Sequence, residues 1–349
     1  MTPPDPFRVP LSFAATYGDA KEARALRRSH ERGDIRRVRR GVYVAEAAWT
    51  DLDDRGRHVV TVRAALAGHP ARLVASHDSA VAVHDLPRVH RAFGEVVQLV
   101  DPLRTEARRA RLVHVRPGEL AARDVVDVAG VPSTSLARTV VDVAKSAPFG
   151  DAVLCADAVL RRIVLRGRHD AGPHVDERLA RVRADLLASV GPGDRRGGSA
   201  AARVIEFASP WAENGGESLA RIALHELGVE APVLQKVVTV HGRFAGRGDM
   251  HLPDDGALLE FDGMEKLVDG KMLAGRSTAE ALRQMKARDR ELLRSSEVRT
   301  VVHFDLLDVV HPARLADLLR AAHVAVDPRR VRTATRLAAA RFARRDSPG

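Results

Sequence analysis

The stretch Ala257-Leu258-Leu259-Glu260-Phe261-Asp262 constrains this chain more than any other, because it sets a carboxylate inside an apolar run. Ala, Leu and Phe in a row of this length read as a short buried strand, a setting that favours apolar side chains. A buried ion without a partner costs on the order of several kcal/mol. Glu260 and Asp262 are two residues apart, so on a strand they project from the same face. That face has to meet a cation, a hydrogen-bond cluster or water.

The flanking sequence says what surrounds this strand. GGESLARIALHELG places Leu219, Ile222, Ala223 and Leu227 at helical spacing, carries Glu217 near its start and stops at Gly228. A strand QKVVTV, a turn at His241 and Gly242, and a strand ending in GRGDMHL precede the run. After it, TAEALRQMKARDRELLRSS reads as a long helix and VRTVVHF as a further strand. The order helix, three strands, helix, strand packs most simply as a mixed sheet flanked by helices.

In that arrangement Asp249 ends one strand, Glu260 lies in the next, and Glu217 sits on the preceding helix. Neighbouring strands are about 4.8 Å apart, which brings Asp249 and Glu260 within reach of one ion. Donors that are all oxygen suit a hard cation, Mg²⁺ first among them, since it keeps several waters and uses one or two carboxylates. Lys266, beyond a glycine turn, is a candidate to steady an attacking hydroxide or a strained phosphate. The alternative makes Asp249 and Asp262 turn residues beside Gly248 and Gly263, with Glu260 ion-paired to Lys266 or Arg288.

Glu217, Asp249, the pair Glu260 and Asp262, and Lys266 resemble the active-site pattern of the PD-(D/E)XK nuclease superfamily, in its very-short-patch-repair-like or DUF559-like branch. The likeness covers about residues 210–320 and includes MKARDRELLRSSEVRTVVHFDLLD, similar to the closing helix and strand of that fold. The resemblance implies Asp249 and Glu260 as Mg²⁺ ligands with Glu217 assisting, and phosphodiester hydrolysis as the activity. The pattern places lysine two positions after the acid, where this chain has Asp262; Lys266 is the displaced candidate, followed by Leu267 where an aromatic is usual.

A second pattern lies near the N-terminus. A helical segment KEARALRRSHERG leads into IRRVRRGVYVA, where Ile35, Val38, Val42 and Val44 interleave with Arg36, Arg37, Arg39 and Arg40 around a turn at Gly41. Helix, short link and basic hairpin is the order of a winged helix, and the guanidiniums suit phosphates or a minor groove. Lys21, Arg24 and Arg28 share one helix face and are the recognition-helix candidates. LRRSHERGDIRRVRRGVYV, Trp49 and SHDSAVAVHDLP together resemble the N-terminal winged-helix module of AbiEi-type antitoxins of type IV toxin–antitoxin systems. The likeness continues more faintly through GVPSTSLARTVVDVA to about residue 165, and implies a DNA-binding repressor with a cognate toxin as partner.

The remaining signals are bounding ones. Lys and Arg outnumber Asp and Glu by 56 to 46, a net charge of +10 that makes a polyanion the natural partner. One cysteine, Cys155, leaves no internal disulfide, and nothing resembles a leader or a span of about 18 apolar residues, so a cytoplasmic location without a membrane partner is expected. His77 and His84 are seven residues apart and read as core or cap histidines rather than metal ligands. Aromatic content of 4% offers few stacking platforms for single-stranded RNA.

The expected fold is multidomain α/β (α+β). A winged helix at 1–57 and an α/β middle domain at 58–208 precede a mixed-sheet, restriction-endonuclease-like domain at 209–325 and a basic tail at 326–349. GPGDRRGG is the clearest loop, and the tail reads either as disordered or as a DNA-strengthening helix. The expected function is binding of duplex DNA joined to Mg²⁺-dependent endonuclease action. The alternative is a non-catalytic transcriptional regulator or antitoxin on a degenerate nuclease fold.

Overall fold

A computed structural model of the chain describes residues 3–14, 20–68, 72–90, 92–167, 170, 172–191, 197–262 and 278–343. Lys266 and most of the GPGDRRGG loop lie outside the described residues, and so does the side chain of Lys21. The chain is mixed α/β, with three sheets among the described residues. It packs as two units, Met1–Val159 with Asp176–Phe207, and Leu160–Val175 with Ala208–Arg345.

The first unit opens with β1 (Ser12–Phe13), α1 (Ala20–Glu31), β2 (Ile35–Arg39) and β3 (Val42–Ala45). The strands pair antiparallel in the order β1-β3-β2. Gly41 makes the hairpin turn at φ +77°, in the left-handed region that a side chain would strain. After α2 (Glu46–Thr50) comes α3 (Asp54–Ala67), whose N-terminus is capped by Asp53 accepting from the Gly56 N–H.

α3 is apolar on two sides. Val60 packs with Val9, Val44 and Leu52 under the hairpin, while Val62 and Ala65 pack on a six-stranded sheet. That sheet contains β4 (Val74–Ala75), β5 (Val97–Asp101), β6 (Arg108–Ala110), β7 (Val113–Pro117), β8 (Val125–Val128) and β9 (Val131–Thr134). Its order is β6-β7-β5-β4-β9-β8, with parallel and antiparallel pairs mixed. The helices α4 (His77–Val83), α5 (Leu136–Ser146), α6 (Phe149–Val164), α7 (Pro173–Val190) and α8 (Gly198–Phe207) complete this half of the chain. His77 is buried beside the Ser76 hydroxyl, and the His84 ring bonds the Thr134 carbonyl.

The second unit holds α9 (Gly215–Leu227), β10 (Val233–Val240), β11 (Arg243–Leu252), β12 (Ala257–Asp262), α10 (Thr278–Leu292) and β13 (Thr300–Asp305). This is the helix–strand order that the periodicity predicts. The sheet runs β10-β11-β12-β13, antiparallel except for the parallel pair β12 and β13. Three more helices follow: α11 (Leu306–Val310), α12 (Pro312–Ala321) and α13 (Pro328–Phe342). The last occupies most of the segment expected as a basic tail. No described helix is long and apolar enough to cross a membrane.

Close packing explains two strand glycines. A Cβ on Gly248 would lie 2.4 Å from Leu258 Cδ1, and one on Gly246 would lie 2.9 Å from Leu292 Cδ2. Leu258 and Leu292 belong to one core cluster with Val238 and Val298. Gly248→Val is therefore expected to lower stability by about 1–3 kcal/mol through overpacking, read as a lower urea midpoint with an unchanged slope.

Candidate functional site

Asn214 caps α9: its side-chain oxygen accepts from the Glu217 N–H at 3.0 Å, while its amide donates to Glu217 Oε1 at 2.7 Å. Glu217 Oε2 also accepts from the Glu213 N–H at 2.8 Å and from the Gln235 amide at 3.1 Å. The carboxylate is only 4% exposed, and both of its oxygens are engaged. Burial pushes its pKa up to about 7, helped by the charges of Asp249 and Glu213 and opposed by the two N–H bonds to Oε2.

Gln235 reaches Glu217 from a strained backbone. Its φ is +52°, and the β10–β11 ladder passes from Leu234 opposite Met250 to Lys236 opposite Gly248, missing the step between. Asp249 occupies that same level of β11. On the other side of β11, the ladder with β12 ends at Met250 opposite Leu259. Beyond it, Asp249 Oδ2 accepts the Phe261 N–H at 2.9 Å, so a carboxylate takes the place of a strand carbonyl.

Glu260 is 6% exposed and meets Arg288 of α10, whose Nη2 donates to Glu260 Oε1 at 3.0 Å and to the Arg247 carbonyl at 2.8 Å. Burial nonetheless pushes Glu260 up to about 7; Arg288 opposes the shift and Asp249 reinforces it. Asp249 is thus the charge that both buried glutamates feel. Three arginines stand around these acids. Arg247 and Arg161 pair with Glu213 at 3.0 and 3.4 Å, and Arg288 pairs with Glu260.

Asp262 belongs to a different group. In the parallel register Glu260 lies opposite His303 and Asp262 opposite Asp305. The His303 ring spans two carboxylates, Nδ1 to Asp262 at 3.2 Å and Nε2 to Asp289 at 3.1 Å. Carboxylates only accept, so both ring nitrogens donate and the ring is an imidazolium. The hydrogen bond to Asp262 is the main cause that raises its pKa to about 9, with Asp289 adding to it against burial.

Neither strand aspartate is a turn residue: Asp249 lies within β11, and Asp262 is the last residue of β12. Of the four acids and one lysine expected together, Glu217, Asp249 and Glu260 are electrostatically linked, Asp262 pairs with His303, and Lys266 lies outside the described residues. Among the described residues, no group of three or more His, Cys, Asp or Glu side chains is placed to hold one metal ion.

No protein-family model, curated protein or solved structure matches the chain. The site is defined by its own geometry. Gln235, Arg247, Asp289 and His303 were not expected in it. A left-handed glutamine and a histidine one strand away leave no local mark in a sequence, because only strand pairing sets them beside the acids.

The basic N-terminal residues divide in the same way. Arg36 is held by Glu46 at 2.7 Å and lies 5.7 Å from the Trp49 ring, and Arg39 is half-buried, where desolvation lowers its pKa. Arg24, Arg28, Arg37 and Arg40 are exposed and have no ion pair among the described residues.

The raised carboxylates set a pH dependence. Glu217 and Glu260 titrate near 7 in the folded protein against 4.5 unfolded, so the folded state binds more protons in between. Their contribution to stability is expected to fall as pH rises from 4.5 to about 7. His303, raised to about 9, contributes fully below 6.5 and loses that contribution as pH rises through 9. Glu260→Gln is expected to flatten the fall in melting temperature between pH 5 and pH 7; an unchanged profile would mean that Glu260 is ionised normally.

Proposed function

We propose that the chain is a duplex-DNA-binding protein whose second unit hydrolyses phosphodiesters with a divalent cation. The observation that carries this reading is the electrostatic linkage of three carboxylates from α9, β11 and β12, two of them buried and raised to about 7 chiefly by desolvation, with the charge of Asp249 adding to it. A fold built only for stability gains nothing from that repulsion, whereas a dication relieves it.

Asp249 and Glu260 fit such an ion: they bring hard oxygen donors from adjoining strands, and Mg²⁺ commonly uses one or two carboxylates and water. Glu217 fits a supporting role better than ligation, because its oxygens already accept from Asn214, Glu213 and Gln235. When bound, Mg²⁺ supplies Lewis-acid stabilisation of a phosphate and a water of lowered pKa. Glu217, near neutrality, suits proton exchange at Oε1 or Oε2. Arg247 and Arg288 at the rim offer guanidinium donors of the kind that pair with phosphate. Arg37 and Arg40 on the hairpin, with Arg24 and Arg28 on α1, supply exposed cations for the backbone of a duplex. The helix-then-hairpin order supports a winged-helix reading of that segment, and the antitoxin-like role and its toxin partner rest on the sequence resemblance.

The rival reading is a non-catalytic DNA-binding regulator on the same fold. The contact of Arg288 with Glu260 favours it, since a guanidinium then stands where an ion would bind. Plasmid relaxation with Mg²⁺ or Mn²⁺ separates the two readings. The wild-type chain is expected to nick and the double variant Asp249→Ala, Glu260→Ala is not; equal or absent nicking in both sinks the enzyme. Arg288→Met removes the competing charge and is expected to tighten Mn²⁺ binding by calorimetry, at least several-fold. A weakened or unchanged affinity would assign Arg288 to a permanent structural pair. Arg37→Gln with Arg40→Gln is expected to weaken duplex binding and to lower the salt slope by about 1.8, at about 0.9 per phosphate contact.

A further inference from the structure

α13 has two unlike faces. Ala334 and Ala338 are fully buried, Val331 is half-buried beside them, and Arg341 pairs with Glu226 of α9. Arg330 extends over Gly228 at the end of α9 and approaches the His225 carbonyl at 3.5 Å. These contacts fix which way the helix is turned. Residues 329, 332 and 336 are spaced by three and four, so they form one stripe on the side opposite Ala338.

Arg329, Arg332 and Arg336 are all exposed, and their guanidiniums have no ion pair among the described residues. The helix contains no Asp or Glu, and Asp327, which precedes it, spends a carboxylate oxygen on capping the Arg329 N–H. The stripe rises about 10 Å, the axial distance of about three phosphates along one strand of a duplex. An exposed helix face that is merely solvated ordinarily mixes charges of both signs, because like charges one turn apart repel. A one-sign stripe on a rigidly docked helix is the arrangement that a line of phosphates would neutralise.

We infer that the outer face of α13 is a second contact surface for the phosphate backbone of duplex DNA, borne on the same unit as the candidate acids and separate from the N-terminal hairpin. This rests on the reading of the chain as a DNA-binding protein. The surface reads no sequence; it adds affinity and holds the duplex against the second unit. The net charge of +10 agrees with an extended polyanion as the occupant.

The test uses the full chain in EDTA, so that no cleavage intervenes, and fluorescence anisotropy with a 30-base-pair duplex over a range of salt. Replacing Arg329, Arg332 and Arg336 together by Gln is expected to lower the slope of log affinity against log salt by about 2 to 3, from about 0.9 per phosphate. Affinity at moderate salt is expected to drop at least tenfold, and Lys at the same positions is expected to restore most of both. The three residues are exposed, so circular dichroism melts should coincide. An unchanged slope in the Gln variant, with the wild-type chain binding normally, overturns the inference and leaves the DNA-binding reading standing. A wild-type chain that fails to bind the duplex overturns both, as does an effect confined to single-stranded RNA.

Discussion

The parallel pairing of β12 with β13 governs the second unit. Parallel neighbours cannot be joined by a tight turn; the chain must cross over the sheet, and here α10 lies in that crossover. The crossover is why Glu260 and Asp262 are not left to water. It carries Arg288 onto Glu260 and Asp289 onto His303, while the strand it delivers sets His303 beside the acids in register. A hairpin in place of the crossover would have left both carboxylates on an uncovered face.

The balance of charge at the site follows from magnitudes. A charge pair about 4 Å apart is worth about 4 kcal/mol at an effective dielectric near 20, similar to the several kcal/mol needed to desolvate a carboxylate. Arg288 alone therefore does not restore Glu260 to an ordinary pKa: desolvation decides the direction, and the charge of Asp249 reinforces it. Glu217 has three polar partners in place of a guanidinium, and burial raises it to the same level. Asp262 is more exposed and pairs with an imidazolium that it shares with Asp289. Two residues apart on one strand, these acids occupy opposite electrostatic regimes.

The first unit shows a comparable economy in α3. Amphipathic helices bury one stripe, but Val60 and Val62 of α3 serve different cores, one under the basic hairpin and one on the six-stranded sheet. The hairpin is thereby fixed to a larger body, which orients Arg37 and Arg40 without engaging them. Arg36 shows the opposite outcome, since Glu46 and Trp49 on the next helix hold it back.

Much of this was legible in the chain. Apolar spacing marked α9, β12, α10 and β13, because a buried face repeats at 3.6 or 2 residues whatever it packs against, and Glu260 stood out as the carboxylate that broke such a run. The helix–hairpin signal at Gly41 was equally local, since a left-handed turn needs a residue without a Cβ. Which acids would meet was not legible. Asp249 and Asp262 looked equivalent as sequence, yet one bridges a broken strand ladder to link Glu217 and Glu260, and the other is drawn to His303, 41 residues away. The same holds for Gln235, whereas the pairing of Arg288 with Glu260 was among the readings that the sequence offered. Periodicity reports the direction in which a side chain leaves its own element; the charge that it meets is set by strand register and crossover, and these exist only once distant segments have packed.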